Sequence, residues 1–221
     1  MPLQIGDDST QGWRAVKDLR VGDLEVHAVV MPEGNSWVEL WRRVPFDVEM
    51  TSSQTLIVPT WALYANIILL GGGGGGAGGS GALNAPGRGG SAGSWQGTIR
   101  KVQPGEGLVF TIGAGGAGGS TETGSGGTGG TTSVTSSGYK MNAYGGDGGV
   151  GTGSTSTAKG EDASKFDYGG MQVTGGSGGT MGNVGQVPGG GGGGGAGGIF
   201  GRWSPGKPGG RGGAWVRFRS A

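Results

Sequence analysis

Residues 71–79 read Gly-Gly-Gly-Gly-Gly-Gly-Ala-Gly-Gly, and residues 189–198 read Gly-Gly-Gly-Gly-Gly-Gly-Gly-Ala-Gly-Gly. These two tracts decide the fold, because a glycine run buries no side chain and loses about 1–2 kcal/mol of backbone entropy for each residue that is ordered. Such a run is therefore either disordered or held by backbone contacts. At ~3.1 Å per residue in an extended left-handed helix, the tracts would span ~28 Å and ~31 Å and can lie side by side.

Glycine also recurs at every third position in much of the chain beyond residue 70, a part that holds 57 of the 61 glycines. A polyproline II helix has three residues per turn, so this spacing leaves one edge free of side chains, where another backbone can pack. The sequence therefore predicts a bundle of polyglycine II helices. Collagen is excluded, since the three-residue register breaks repeatedly and the chain has only nine prolines.

Apolar runs border the glycine tracts and argue against a flexible Gly/Ser linker, which is the alternative interpretation of this composition. Residues 67–70 and 108–112 run directly into glycine tracts, and residues 214–218 follow one. Each run predicts a β-strand that anchors one end of a tract. Residues 61–70 are apolar on both faces, which predicts a strand that is covered on both sides.

The first 50 residues have a different composition. Trp13-Arg14-Ala15-Val16 and the stretch from Trp37 to Trp41 read as short strands of one repeated unit. We therefore predict an all-β, non-helical chain with two domains: a tryptophan-containing β attachment module at residues 1–50 and a polyglycine II and β domain with surface loops at residues 51–221. So small a module buries little surface and needs a neighbour.

Charge is unevenly distributed although the net charge is only +1. Residues 1–50 carry nine acids and five bases, a net charge of −4, whereas residues 168–221 carry five bases and no acid. The small net charge gives no reason to expect nucleic-acid binding.

No cysteine is present, and the N-terminus lacks the pattern of a secretory signal, so we expect synthesis in a cytoplasm. The longest apolar stretch is about half of a membrane span, and no membrane insertion is expected.

Motifs of catalysis are absent or fail in context. The single histidine, His27, lies in an alternating strand pattern and leaves no catalytic triad or histidine-rich metal site to assemble. Residues 175–179 match G-x-S-x-G but lack the flanking strand and helix, and residues 201–208 imitate a phosphate loop only as far as Lys207. We expect no enzyme, no metal and no cofactor.

Isolated large side chains punctuate the polar segments between the tracts. Loops that join rigid elements commonly carry binding residues, so these side chains are candidates for a binding surface; inward-facing packing is the alternative. The candidates are Tyr139, Met141, Asn142, Tyr144, Phe166, Tyr168 and Met171. The basic C-terminal side chains are a further possibility for contact with an acidic polymer or with the acidic N-terminal region, namely Arg202, Lys207, Arg211, Arg217 and Arg219.

An ordered series of motifs resembles the glycine-rich minor tail proteins of siphophages that infect actinobacteria. The series consists of tryptophan-containing units at residues 13–21 and 37–44, Val58-Pro59 followed by residues 67–79, Val102-Gln103-Pro104-Gly105-Glu106 followed by residues 110–119, and the closing stretch 206–218. A more distant resemblance is to the glycine-rich adhesins at the fibre tips of T-even-like phages, in which polyglycine helices form a sandwich and the joining loops touch the receptor. The chain departs from these adhesins in being short and in lacking a long shaft.

The resemblance implies a structural protein of the virion tail tip that displays loops for recognition of the host surface. Its partners would be other tail-tip proteins and a glycan or protein receptor on the bacterial cell. We expect attachment and self-association, most simply as a homotrimer, through Trp13, Trp37 and Trp41. A second hypothesis is an ice-binding protein, because a flat polyglycine bundle can present rows of threonine; Thr128, Thr131, Thr132 and Thr135 are available.

Overall fold

The computed structural model describes residues 45–220 completely and, before them, the backbone of residues 4–6, 13–15, 19–21, 24–26, 28–33 and 36–42. All regular structure in these residues is β-strand and none is helix, so the predicted all-β class is confirmed. Sixteen strands lie in the described residues: β1 Gln4–Gly6, β2 Trp13–Ala15, β3 Leu19–Val21, β4 Leu24–Val26, β5 Ala28–Glu33, β6 Ser36–Arg42, β7 Phe46–Met50, β8 Gln54–Ile57, β9 Tyr64–Leu70, β10 Trp95–Lys101, β11 Gly107–Thr111, β12 Thr132–Ser136, β13 Tyr139–Ala143, β14 Lys165–Tyr168, β15 Met171–Thr174 and β16 Gly213–Arg219.

The N-terminal strands form three antiparallel hairpins, β1 with β2, β3 with β4 and β5 with β6. Strands therefore lie where the sequence predicted them, beginning at Trp13 and including Trp37. The side chains of Trp13, Trp37 and Trp41 are outside the described part of the chain, and His27 is outside it altogether. The role of the tryptophans and the domain boundary at residue 50 stay predictions.

A four-stranded sheet in the order β10-β9-β16-β7 forms the centre of the strand region. Its strand β9 is buried from Ala65 to Leu70, which confirms the prediction of a strand covered on both faces. The strand begins at Tyr64 rather than at Trp61, because residues 60 and 61 form a turn after Pro59. Strand β7 pairs with β16 along its whole length, so residues 46–50 share a sheet with the end of the chain.

Two separate cores cover the faces of this sheet. On one face, Ile67 and Leu69 pack against a second sheet of order β13-β12-β11-β8, with Phe110 at the centre. On the other face, Ile68 and Leu70 pack against the hairpin of β14 and β15. The alternation of side chains along β9 thus divides its residues between the two cores.

The tract at residues 71–79 continues directly from β9 and is completely buried. Its N–H groups donate in turn to three antiparallel segments, residues 88–94, 124–130 and 204–210, with N···O distances of 2.8–3.1 Å. Its carbonyls accept from three parallel segments, residues 116–119, 146–149 and 192–195, and the carbonyl of Gly79 accepts from Thr123. The donors change partner in a strict cycle of three residues. The tract is therefore enclosed by six neighbours, each reached once per three residues.

The tract at residues 189–198 is buried in the same way from residue 189 to residue 195 and is half-buried from 196 to 198. From residue 190 to residue 195 its N–H groups reach residues 74–77, 158–161 and 183–186, and the carbonyls of the tract accept from residues 87–93, 179–182 and 204–210. A Cβ atom added to Gly192 or Gly195 would collide with a neighbouring backbone carbonyl. Glycine avoids such collisions, which explains why both tracts are nearly pure glycine, although Ala77 is also buried in the first of them.

Outer segments touch the bundle on one side only, and they expose one residue in three. The glycines between these exposed residues face neighbouring backbones. The exposed rows are Ala114 with Ala117, Ser125 with Thr128, and Tyr144 with Asp147 and Val150. In this part of the molecule, the three-residue sequence pattern therefore determines which residues face neighbouring backbones and which are exposed to solvent.

Two hairpins occupy segments that the sequence analysis treated as polar loops. Strands β12 and β13 pair in one of them, and β14 and β15 pair in the other. The second hairpin turns at Gly169 and Gly170, whose φ angles are 58° and 74°. Positive φ at both central residues is the requirement of the two-residue turn that best suits a twisted hairpin, and glycine meets it without strain.

Candidate binding surfaces

The glycine segments join two ends of the molecule. The strand end consists of β7 to β16. At the other end the chain reverses several times, and the name turn end is used here for three of these turns, residues 80–85, 120–124 and 199–203. The seven receptor-binding candidates were expected in loops at one tip. The structure instead places six of the seven on strands of the strand end and Tyr144 immediately after β13.

Tyr139, Met141 and Asn142 lie on β13, where Tyr139 and Met141 pack against the first core. The Arg100 guanidinium covers the Tyr139 ring at 4.4 Å from its centroid. The Asn142 amide oxygen is buried and has no hydrogen-bond partner among the described residues. These side chains mainly hold the second sheet against the central one.

Arg100 links β10 to the β12–β13 turn through charged hydrogen bonds. It donates to Glu106 at 2.8 Å and to the Ser136 hydroxyl at 2.6 Å. Burial acts to raise the pKa of Glu106, but hydrogen bonds from Ser136 and the Gln103 N–H, together with the Arg100 charge, outweigh burial and lower this pKa below its ordinary value. Glu106 is therefore ionised while it bridges the two sheets.

Phe166, Tyr168 and Met171 lie on the opposite face of the central sheet. Phe166 stacks on Trp95 with ring centroids 5.3 Å apart, and Met171 is buried in the second core. The Tyr168 ring lies against the backbone of Gly97, where a Cβ would collide with the ring. Tyr168 is nevertheless 38% exposed, so part of this side chain is accessible.

The seven candidates therefore form two groups on opposite faces of one sheet, and the structure does not bring them together. Tyr144, which is 66% exposed, and Tyr168 are the members with the most accessible rings. Their role in receptor binding stays a prediction.

The turn end carries exposed apolar side chains that the sequence analysis did not select. Leu83 is 70% exposed, Ile199 is 56% exposed and Phe200 is 94% exposed. A recognisable signal was present, because Ile199-Phe200 stands between glycines with no strand pattern around it. An apolar pair in such a position has no core to join.

Glu122 ties two of the three turns together, residues 120–124 and residues 80–85. Its carboxylate accepts hydrogen bonds from the Gly81 N–H at 2.7 Å, the Ala82 N–H at 3.2 Å and the Ser80 hydroxyl at 3.2 Å. The bonds from Gly81 and Ala82 lower the pKa of Glu122. Gly81 in turn lies against the backbone of Gly201, so the turn at residues 80–85 is wedged between the other two.

The basic C-terminal side chains are dispersed rather than clustered. Arg217 donates to both carboxylate oxygens of Asp47 at 2.7 Å and to the carbonyl of Gly170 at 2.9 Å. The hydrogen bonds that Arg217 donates to Asp47 raise the pKa of Arg217. One of the five basic residues thus meets an acid of the first 50 residues, and it clamps the β14–β15 hairpin to the sheet. Arg219 hydrogen-bonds Asn66, whereas Arg202 and Arg211 are exposed.

A groove of about 580 Å³ lies where the strands meet the glycine segments. Ser53, Ile112, Val187 and Arg211 are among its lining residues. Across the described parts of the chain, no group of three or more histidine, aspartate or glutamate side chains is placed to hold a metal ion. The same residues include no helix long and apolar enough to cross a membrane.

Comparison with protein families matches residues 49–219 to the family described as "Glycine-rich domain". The match covers the strand end from the last residues of β7, all glycine segments and the turn end. No curated protein matches the chain.

Proposed function

We propose, on the premise that this chain belongs to the glycine-rich domain family, that it is a structural and binding protein of a phage tail tip. In this proposal the N-terminal β module docks on other tail-tip proteins, and the glycine-rich domain is displayed toward the host cell. The chain is made in the host cytoplasm and resides in the virion. It acts by binding and carries out no catalysis.

The two-ended layout is the observation that carries this proposal. Residues 1–44 enter the domain through β7 at the strand end, while the turn end lies at the other limit of the glycine segments. A domain of this kind, held at one end, directs the other end away from its attachment. Its rigidity comes from backbone hydrogen bonds, which do not depend on long side chains.

We further propose that the glycine segments are polyglycine II helices. The three-residue cycle of hydrogen-bond partners supports this proposal, because that helix has three residues per turn. No residue of 71–79 has a positive φ, and in 189–198 only Gly189 does, which fits a helix with φ near −75°. Backbone chemical shifts of the full chain test it: values typical of an α-helix or of a β-strand throughout residues 71–79 would contradict the assignment.

Self-association through Trp13, Trp37 and Trp41 completes the proposed attachment, with a homotrimer as the simplest closed assembly. Analytical ultracentrifugation of the full chain is expected to give a trimer. Replacing Trp37 and Trp41 by serine is expected to give a monomer in which the glycine-rich domain is folded as in the wild type. A wild-type chain that sediments as a folded monomer would contradict the proposed assembly.

The decisive test is the place of the protein in the virion. Antibodies against the chain are expected to label the tail tip in electron micrographs, and particles without it are expected to have tails but not to adsorb. Tyr144→Ala tests recognition at the strand end, because this exposed side chain can be removed without opening a core. Absence of the protein from purified virions would overturn the proposal.

Ice binding remains a second candidate because the outer segments expose rows of small side chains. Ser125 and Thr128 form one row beside Ala114 and Ala117. Of the four threonines first considered, Thr132 is buried and Thr135 is half-buried, so only Thr128 and Thr131 remain exposed. Thermal hysteresis that is lost in Thr128→Tyr would favour ice binding over tail-tip function.

A further inference from the structure

Phe200 occupies a position that stability alone does not explain. Its side chain is 94% exposed, the largest exposed fraction among the apolar side chains described above. Its φ of 56° places it in the left-handed region, which is unfavourable for a residue other than glycine. An exposed phenylalanine in a strained backbone contributes no burial that would offset this cost. Glycine or asparagine would suit the position better.

The same strain recurs in each of the three turns. Asn84, Thr123 and Phe200 have φ angles of 47°, 54° and 56°, and they are the non-glycine residues with positive φ among those described. All three belong to the turn end. Strained backbone in ordered structure concentrates at sites of function, where surrounding contacts hold it in place. Here hydrogen bonds to Glu122 hold the turns of Asn84 and Thr123 together, and Gly81 lies against the backbone of Gly201, next to Phe200.

The chemistry of this surface selects among partners. Leu83, Ile199 and Phe200 carry no polar side-chain atoms, so a glycan placed over them would lose hydrogen bonds from its hydroxyl groups without replacement. The turn end has one acid, Glu122, and one base, Arg202, so it has no net charge to draw it to an anionic lipid surface. A protein pocket lined by apolar side chains matches a protruding aromatic residue flanked by aliphatic ones.

We propose that the turn end is a protein-binding surface in which Phe200, flanked by Leu83 and Ile199, inserts into an apolar pocket of a protein on the host cell. This inference rests on the proposed tail-tip function and names the class of receptor. Glu122 is a positioning residue: it fixes the turn that carries Leu83, and Gly81 of that turn lies against the backbone of Gly201 in the turn that carries Phe200.

The first test is thermal unfolding of the full chain. Phe200→Asn is expected to leave the melting temperature unchanged or to raise it, because asparagine tolerates a left-handed backbone and no buried contact is lost. Val150→Asn, at an exposed position in an outer row and outside the three turns, is the matched control. A fall of several degrees specific to Phe200→Asn would make Phe200 a structural residue and overturn the inference.

The second test is binding of the labelled full chain to actinobacterial host cells. Wild type and Val150→Asn are expected to bind equally, and Phe200→Asn is expected to lose at least tenfold in affinity. Protease treatment of the cells is expected to abolish binding, whereas periodate oxidation of surface glycans leaves it intact. Glu122→Gln is expected to weaken binding less than Phe200→Asn does, with an unchanged melting temperature.

The outcomes separate this inference from the function on which it rests. If the wild type binds and Phe200→Asn binds equally well, or if periodate rather than protease abolishes binding, the inference is wrong while the tail-tip function stands. Binding to vesicles of phosphatidylcholine and phosphatidylglycerol that depends on Phe200 would make the partner lipid and also overturn it. If antibodies locate the wild-type chain at the tail tip but the chain binds no host cell, its function does not include recognition of the host. This inference would then be wrong as well.

Discussion

The strand end and the glycine segments are ordered by different means. In the strand end, side chains such as Phe110, Ile67 and Val216 are fully buried in cores, as in most β-proteins. In the enclosed tracts no large side chain is buried, and neighbouring backbones contact each other through hydrogen bonds at every residue or nearly so. A change that enlarges a side chain is therefore tolerated differently in the two regions. The comparison shows that close packing does not require side chains when the backbone itself repeats regularly.

The largest expected effect comes from adding a side chain inside an enclosed tract. Gly192→Val places a branched side chain against the carbonyl of Lys207, and Gly195→Val does so against that of Ser204. Because these contacts are with backbone, no side chain can move aside, and we expect loss of the folded glycine region. Limited proteolysis is expected to cut within residues 189–198 in these variants only. Ala117→Val, at an exposed outer position, is the control and is expected to melt like the wild type.

In the strand end the corresponding test is to remove a core side chain instead of adding one. Phe110→Ala is expected to reduce the free energy of unfolding by about 3–5 kcal/mol, since the ring is lost from a packed core and a cavity remains. Urea denaturation measures this change. A loss below about 1 kcal/mol would mean that the first core is not closely packed.

The Arg100–Glu106 bridge gives a smaller, pH-dependent effect. Glu106→Gln is expected to reduce stability by about 1.5–3 kcal/mol at neutral pH, as the charged hydrogen bonds become neutral. Because the pKa of Glu106 is lower in the folded chain than its ordinary value of 4.5, its contribution is complete above that value. The contribution is lost as the pH falls through the folded pKa. Melting temperatures of wild type and Glu106→Gln are expected to converge as the pH falls below about 4.5; parallel curves would contradict the assignment.

The smallest expected effect concerns a glycine that faces open space. Gly138 has a φ of 70°, and a Cβ there would meet no atom within 4 Å. Gly138→Ala is expected to cost only about 1 kcal/mol, from the left-handed backbone alone. Thermal melts of Gly138→Ala and Gly192→Val separate backbone strain from backbone collision. Equal effects in the two variants would remove the distinction between the regions.

Much of the strand end was predictable from sequence because its main strands are apolar runs beside glycine tracts. The runs at residues 67–70, 108–112 and 214–218 all lie in strands or directly at their ends. The hairpin of β12 and β13 was missed because Val134 is the only apolar residue of β12, and serine and threonine around it are typical of loops. The turn at Gly169-Gly170 was hidden among many other glycine pairs.

The candidate sites were less predictable than the strands. Large residues in polar segments were interpreted as loop residues, but Phe166 and Met171 pack onto the sheet because the hairpin that carries them needs a core. The surface at Leu83 and Phe200 depends on which turns meet at the end of the bundle. That meeting follows from the order of the glycine segments around residues 71–79, and hydrophobic patterning does not specify this order.

The passage from β9 into residues 71–79 has a mechanical consequence. The chain runs without a turn from the middle of the central sheet into the middle of the glycine segments, and residues 65–79 are buried throughout. A pulling force between the two ends acts along this segment, so extension must shear the hydrogen bonds to all six neighbours together instead of opening them one at a time. The segment therefore resists extension, and the hydrogen bonds that hold it are distributed along its whole length.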